Sequence, residues 1–551
     1  MSGFSPLRRA AFREMWGAQF ASNIGGWMQT VGAQWLMLSL TPATSYLAFI
    51  QTAASLPVLL FAIPAGAVGD LVDRRRLLLL TTLFMAATTA ALGVLAIAGL
   101  VTPWALLAAL FLVGAGQAWT SPTWQTLQPE LVPADERSQA IALGSVNQNL
   151  ARAIGPAIGG ALVAITEPSV VFLVNAATFL AVIAVVWRWH DDRALGADGL
   201  PAEHVGEAIR ASGRYITNSP ALRTVLVRTV AFIFFASAIW ALLPAVATTD
   251  LGLGSGAYGL LLGCVGIGAV AGALLLPRLR GLLSGDRLLA AGSFAMALTA
   301  LAMATVHSVA VVAALLALGG LGWILALATL NTGFQTMLPS WAKARGIAVY
   351  LIAFQGGNAI GSAAFGIGAT SAGLDLVVAI AAAGLALGPL LGLWRPFPRI
   401  ETAGLQPASD WPILAMPAAA DDRPSGPVMV SLEYHAAPGE ADQLLQALGQ
   451  LRRARRRTGA VRWRAWRDTA DPELILEQFV VGSWEEHERQ HARVTERDKE
   501  RLELVESFTR PGSVPVVRHW STAAAVAPPA IDPARLATGR GHDGRGDRSP
   551  N

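Results

Sequence analysis

Apolar runs long enough to cross a bilayer recur through the first 395 residues, separated by short polar breaks. Leu77–Leu100 and Ala105–Trp119 carry no charge at all. A spanning helix needs roughly 20 predominantly apolar residues. The pattern predicts twelve spans, near 15–40, 46–68, 77–99, 103–126, 138–165, 168–189, 221–248, 255–279, 286–306, 308–332, 345–370 and 373–395. The expected class is therefore an all-α polytopic membrane protein.

The polar breaks orient the chain. One set carries Arg8, Arg9, Arg13, then Arg74–Arg76, Arg137, Arg188, Arg193, Arg210, Arg214, Arg278, Arg280, Arg287, Lys343, Arg345, Arg395 and Arg399. The alternate set (TPATSY, GLVTP, TEPSV, TTDLGLGSG, HS, TSAGLD) has no Lys or Arg. Basic loops stay in the cytoplasm, so both termini are expected there, in a cell (inner) membrane. Arg8, Arg9 and Arg13 precede a span without a small-residue cleavage site, which reads as a start-transfer anchor.

The text echoes itself. QTLQPELVPADER (Gln125–Arg137) matches QTMLPSWAKAR (Gln335–Arg345), and ARAIGPAIGG (Ala151–Gly160) matches GNAIGSAAFG (Gly357–Gly366). Two pseudo-symmetric six-helix halves follow, at 1–190 and 221–395, joined by a charged cytoplasmic loop at 191–220. Residues 396–427 are rich in Pro, Ala and Asp and read as a linker.

The pattern then changes period. Val428–Tyr434 alternates apolar and polar, as a half-buried strand does. Leu444, Leu445, Leu448 and Leu451 recur at helical spacing, two further strands follow, Trp484–Phe508 reads as one long charged helix, and SVPVVRHW closes the series. The order βαββαβ predicts a small α+β ferredoxin-like domain at 428–521. A tail at 522–551 reads as disordered.

Composition agrees: 53% of residues are hydrophobic and 14% charged, against roughly a quarter charged in soluble domains. A formal charge of +4 in 551 residues gives no case for nucleic acid. The lone Cys264, in GLLLGCVGIG, excludes an internal disulfide and reads as a packing residue. There is no GxxxxGK[ST] stretch, so ATP is not expected as direct fuel, and no cofactor or metal is implied.

Candidate chemistry lies where polar groups sit at membrane depth. Arg152 is roughly fourteen residues into its span, about 20 Å at 1.5 Å per residue. A charge facing lipid there costs at least ~2.5 kcal/mol, which turns it toward a central cavity. Three uses compete: contact with an anionic or phenolate group of a cargo, bonding between helices, and coupling. Its counterpart in the second half is Asn358. The amides Asn23, Gln29, Gln34, Gln117, Asn147, Asn149 and Gln355, with Trp27, Trp35 and Trp240, are candidates to line the same cavity, each with helix–helix bonding as the plain alternative. No Asp or Glu occupies the middle of a predicted span; Asp250, at an outer end, is the nearest coupling candidate.

GAVGDLVDRRR (Gly66–Arg76), within two six-span halves, resembles the loop signature of the major facilitator superfamily. The matching positions are Gly66, Asp70, Arg74 and Arg75; Leu71 and Asp73 depart from the family's pattern. The resemblance implies a charge latch that gates the cytoplasmic side. Ala151, Gly155, Pro156, Gly159 and Gly160 resemble the Gly-Pro motif of the exporting branches, and the text from GAQFASNIGGWMQTVGAQWL through PELVPADER and GPAIGG resembles the enterobactin-exporter-type branch. Export of a small metabolite, with protons as coupling ion, is what this implies; import by the same fold is the alternative. The C-terminal part resembles the antibiotic-biosynthesis monooxygenase fold. That implies a possible homodimer through this domain, and a membrane-tethered enzyme as a weaker rival. His487 and His491, four apart, make only a weak metal signal. The run Arg452–Arg457 reads as a solvated helix end, with anionic lipid as the sharper alternative.

Overall fold

The computed structural model describes residues 5–69, 73–189, 213–339, 342–398 and 426–521. It divides into two compact units, Met1–Thr402 and Ala403–Asn551. Asp70, most of the predicted central loop and linker, and the tail at 522–551 lie outside the described residues.

In the first unit, helices occupy the predicted stretches: α1 (Ala10–Leu40), α2 (Thr44–Gly69), α3 (Arg74–Ile97), α4 (Pro103–Glu130), α5 (Arg137–Ile165), α6 (Pro168–Arg188), α7 (Pro220–Ala245), α8 (Ser255–Leu282), α9 (Gly285–Thr305), α10 (Val309–Thr336), α11 (Lys343–Ala372) and α12 (Leu374–Leu387). Among the described residues, ten helices are long and apolar enough to cross a membrane. Helices α1 and α5 are outside that set, and they are the ones that carry Asn23, Gln29, Gln34, Asn147 and Arg152.

Local chemistry sets the helix ends. Pro103, Pro168 and Pro220 open α4, α6 and α7 at a position where a missing N–H costs nothing. Asp73 caps α3 by accepting from the amides of Arg75 (2.9 Å) and Arg76 (3.1 Å). After Pro244, α7 loosens into a π-helical turn, Val246–Asp250. At Gly388 and Pro389, α12 passes into a 3-10 turn before a last helical turn at Leu391–Trp394.

Sidedness is inverted relative to a water-soluble helix. On α3, Leu80, Leu83, Val94 and Ile97 are exposed while Thr82 and Thr89 are buried. Hydrocarbon surroundings favour that arrangement, because lipid tails are as apolar as leucine, so nothing drives a leucine side chain into the bundle.

Helix packing repeats with a shift of six. Helix α1 packs on α5 as α7 packs on α11; α2 on α4 as α8 on α10; α3 on α6 as α9 on α12. The halves join by two equivalent seams, α2 with α11 and α5 with α8. Hydrogen bonds across the join run from the Ser45 amide to Thr370 Oγ1 (3.2 Å), Thr52 Oγ1 to the Ala359 carbonyl (3.1 Å), Asn358 Nδ2 to Ser55 Oγ (2.7 Å) and Tyr258 Oη to Gln34 Oε1 (2.5 Å). All of these lie between the end where α1 hands over to α2 and the middle of the bundle.

The second unit is a four-stranded antiparallel sheet, β1 (Val428–His435), β2 (Arg462–Arg467), β3 (Leu474–Val481) and β4 (Val516–Ser521), in the order β2-β3-β1-β4. Helices α13 (Ala441–Thr458), α14 (Trp484–Ala492) and α15 (Glu496–Glu506) complete a βαββαβ chain. This is the ferredoxin-like strand order. The single helix expected over Trp484–Phe508 is two helices. Thr495 and Asp498 form a reciprocal capping box that starts α15 afresh, because their side chains satisfy amides the longer helix would have bonded internally.

Candidate functional site

Helix α5 carries three kinds of contact in succession. Its first half is pinned to α1 by amides: the Trp16 indole donates to the Leu143 carbonyl (2.9 Å), Asn147 Nδ2 to the Trp16 carbonyl (2.9 Å), Asn23 Nδ2 to Asn147 Oδ1 (2.8 Å) and Gln19 Nε2 to Asn23 Oδ1 (2.9 Å). Asn147 is fully buried in this chain. Both asparagines therefore have helix–helix bonds here, the plainer of the two uses their sequence context offered.

Arg152 follows. It lies 15 residues from Arg137 and 13 from Ile165, about 22 and 20 Å along the axis. Its guanidinium carbon stands 5.4 Å from the centre of the Trp27 ring on α1, a cation–π arrangement. Its Nε is buried and has no hydrogen-bond partner. Among the described residues no carboxylate pairs with it. Pro156 adds a further opening: it has no N–H for the Arg152 carbonyl to accept, so the helix lacks one bond at the charged residue.

The third section is a glycine seam facing two helices. A Cβ at Gly155 would meet Trp27 Cβ at 2.6 Å, and one at Gly159 would meet Met28 Cα at 2.7 Å, both on α1. A Cβ at Gly160 would lie 2.5 Å from the Ser255 carbonyl oxygen and 2.9 Å from Gly259 Cα, on α8 in the other half. Gly155 and Gly159 thus seat α5 on α1, and Gly160 forms the join between halves.

The remaining candidates divide. Gln34 is buried and accepts from Tyr258 across the join, and Asn358 donates to Ser55 across the equivalent seam. Gln117 is exposed and bonds Ser121 of its own helix (3.0 Å). Gln355 is half-buried on α11, one residue from Phe354, which with Phe232, Trp240 and Trp323 forms an aromatic cluster with ring centres 5.5 to 6.1 Å apart. Asp250 ends the π-helical turn of α7 and accepts from Thr249 Oγ1 (2.7 Å).

At the opposite end of the bundle, Gly66 sits in the last turn of α2. Arg74 pairs with Glu130 at the end of α4 (2.9 Å), and Arg75 donates to the Val186 carbonyl (3.3 Å) and to that of Trp187, closing the end of α6. Glu130 is thus an acid that holds Arg74. The second half has a counterpart that sequence reading passed over. Arg228, buried in α7, pairs with Asp286 of α9, whose other oxygen accepts from the Phe397 amide (2.9 Å). The Phe397 ring lies 5.8 Å from the Arg228 guanidinium and packs on Gly285 and Gly333. An arginine inside the 221–248 stretch was the available signal.

In the C-terminal unit, Glu477 is wholly buried and fully bonded: Arg455 donates twice (3.2 Å each), Trp463 Nε1 at 2.8 Å and Tyr434 Oη at 3.1 Å. Burial, and then the Glu477 charge, raise the Tyr434 hydroxyl well above its ordinary value. His487 Nε2 is 2.9 Å from His519 Nε2, and its Nδ1 is 3.1 Å from Gln490 Oε1. Burial first, and the His491 ring next to it second, push the His487 imidazole down to about 3. Among the described residues no group of three or more His, Cys, Asp or Glu is placed to hold a metal.

A sequence profile described as "Transmembrane secretion effector" matches residues 1–526. The chain belongs to that family of major facilitator superfamily transporters. Transmembrane secretion effectors are transporters, not enzymes, and the similar proteins agree. The chain is 28% identical over 174 residues to the staphyloferrin A transporter of Staphylococcus aureus, covering 31% of this chain and 44% of that one. It is 26% identical over 217 residues to the multidrug efflux pump Tap of Mycolicibacterium fortuitum, covering 38% and 53%. The matched stretches thus span about half the length of these curated relatives. Among solved structures, a bacterial homologue of the human lysosomal transporter Spinster, inward-facing and occupied, aligns with a TM-score of 0.58 at 14% identity, over 72% of this chain and 98% of that one. A POT family transporter in complex with 5-aminolevulinic acid aligns with a TM-score of 0.58 at 12% identity, over 70% and 96%. At such identities these two establish the fold of the helical unit.

Proposed function

We propose that this secretion effector exports a small amphipathic, anionic metabolite, siderophore- or drug-like, by alternating access between its two halves. It does so with twelve spans in the cell (inner) membrane, both termini cytoplasmic, and protons as coupling ion. The observation that carries the reading is Arg152: a half-buried arginine at mid-helix, stacked on Trp27, with its Nε buried and unbonded and no carboxylate paired with it among the described residues. A charge so placed is costly without a counter-ion, and an anionic cargo supplies one. Gln117, Gln355, Trp27 and the aromatic cluster around Trp240 are the accompanying contacts. Asn23 and Asn147 support them by fixing α1 to α5, and Gln34 and Asn358 by closing the outer side.

The hydrogen bonds that join the halves lie toward the end assigned to the outside, which supports an inward-open state. Cycling then requires Gln34–Tyr258 and Ser55–Asn358 to part. Gly66, Asp70, Arg74 and Arg75 gate the cytoplasmic side, with Glu130 as partner of Arg74. Asp250 is the coupling candidate. The C-terminal unit, resembling the antibiotic-biosynthesis monooxygenase fold of the enterobactin-exporter-type branch, is a dimerisation or regulatory module. Met429, Leu476, Val480 and Trp520 share the sheet face opposite the helices of this unit.

The test compares medium and cell extract by mass spectrometry in a deletion strain carrying wild type, Arg152→Ala or Arg152→Lys at equal membrane level. An acidic metabolite that leaves with wild type, stays inside with Ala and leaves in part with Lys supports the reading. Equal export by the Ala variant removes Arg152 from the cargo site, and accumulation driven by the wild type reverses the direction.

A further inference from the structure

The C-terminal unit carries a basic edge whose charges are not used internally. Of the arginines on α13, Arg455 is bound to Glu477 and Arg457 to Asp498. Arg452 and Arg453 are exposed, and β2, the edge strand of the sheet, brings exposed Arg462 and Arg464 beside them. The Arg452 guanidinium lies 5.9 Å from the Trp463 ring, which brings the basic end of α13 against the edge strand, and the Arg464 guanidinium lies 5.5 Å from the Trp466 ring two residues along that strand. None of these four has an ion-pair partner among the described residues. Two large apolar side chains are exposed within it, Val461 at 53% and Trp466 at 47%.

The charge is directional. At the far end of β2, about 23 Å from Val461 at 3.3 Å per residue, Asp468 and Asp471 are exposed, and Asp442 and Glu473 pair with Arg467 and Arg510. The edge thus runs from basic, at Val461 and Arg462, to acidic at Asp468, with Trp466 two residues before the change of sign. That combination fits one kind of surface. Guanidinium groups pair bidentately with phosphate oxygens, an indole settles at headgroup depth, and basic clusters are drawn to anionic lipid. A negative surface would also repel the Asp468 end and set the domain's orientation. Residues 399–425, 27 in number, separate the two units' described parts, a contour of up to about 90 Å. A bilayer is within reach of any chain attached to a membrane protein by that length.

We propose that the edge formed by Arg452, Arg453, Arg462 and Arg464, with Val461 and Trp466, docks on the anionic lipid headgroups of the bilayer that holds the helical unit. This goes beyond transport and does not depend on cargo or direction.

The test uses the full chain with Cys264→Ser and Val461→Cys, labelled at 461 with an environment-sensitive dye, in nanodiscs of phosphatidylcholine with or without phosphatidylglycerol. Docking predicts blue-shifted emission and quenching by a headgroup-depth spin label in the anionic discs only, reversed by salt as the interaction is screened. Each Arg→Gln change is expected to weaken the docked population by roughly fivefold, and R452Q/R453Q/R462Q/R464Q together to abolish it. Should that variant misfold, the salt titration of the chain with all four arginines decides alone. Equal signals in both lipids, indifference to salt, or a signal present only when a disc holds two copies would overturn the proposal; the last assigns the edge to a second copy of the chain.

Discussion

The guanidinium of Arg152 stacks on Trp27, and the same indole's Cβ lies where a side chain at Gly155 would have to go. One tryptophan therefore serves both the charge and the helix seam. The cation needs an aromatic face in place of a carboxylate, and the face comes close only because residue 155 has no side chain. Charge and glycine motif on α5 are thus a single device.

From this, Gly159→Ala should be worse than one added methyl suggests. The new side chain meets the Met28 backbone, which cannot swing aside as a side chain can. Overpacking of this kind costs about 1–3 kcal/mol. Thermal unfolding of the purified transporter should shift downward, and export should fall further than in Gly254→Ala, where nothing lies within 4 Å.

Tyr258 and Gln34 hold the two halves together across α1 and α8. Replacing Tyr258 with Phe removes the hydroxyl and leaves the ring on Trp35, 6.2 Å away. Intramembrane hydrogen bonds measure about 0.6 kcal/mol on average, so the equilibrium between open states should move by roughly threefold. Double electron–electron resonance between labels on α1 and α8 reads that shift; unchanged distances with Tyr258→Phe would show that the bond does not bias the states.

Arg228 is buried at one end of its pair, while the Asp286 side chain is about a third exposed. Removing one partner of a buried pair costs about 3–5 kcal/mol, and this exposure places Asp286→Asn toward the lower figure. Arg228→Met, which leaves Asp286 with the Phe397 amide, should cost less than Asp286→Asn. Denaturation midpoints of the two variants give the order.

Protonation should unlock the C-terminal unit. His487 titrates at about 3 when folded against an ordinary value near 6.5, so the unfolded chain binds more protons between those limits. Stability is full above about pH 6.5 and falls as pH drops from there toward 3. Hydrogen exchange in the full chain should show α14 and β4 losing protection over that window. His487→Phe should reduce the dependence, leaving the part that comes from His519, whose imidazole is also pushed down by burial.

Much of the helical unit could be read from residue order, and for a physical reason. Water and hydrocarbon sort residues one at a time, so apolar runs mark helices. The repeat at Gln125 and Gln335 is likewise a property of the text, and the packing of α1 on α5 and α7 on α11 follows it. Strand period made the βαββαβ order legible too, except at Thr495, where a four-residue capping box, Thr495–Asp498, outweighed a continuous helical pattern.

Partnership was a different matter. Asn23, Gln34, Asn147 and Asn358 look alike in sequence, each an amide in an apolar run. Only the fold puts Asn23 against Asn147, Gln34 against Tyr258 and Asn358 against Ser55, and leaves Arg152 facing an indole. Arg228 with Asp286, and His487 with His519, were equally out of view. Solvent preference belongs to a residue and its near neighbours, so the chain records it locally. A hydrogen bond or ion pair belongs to two groups brought together over dozens or hundreds of residues, and only three-dimensional packing sets that distance.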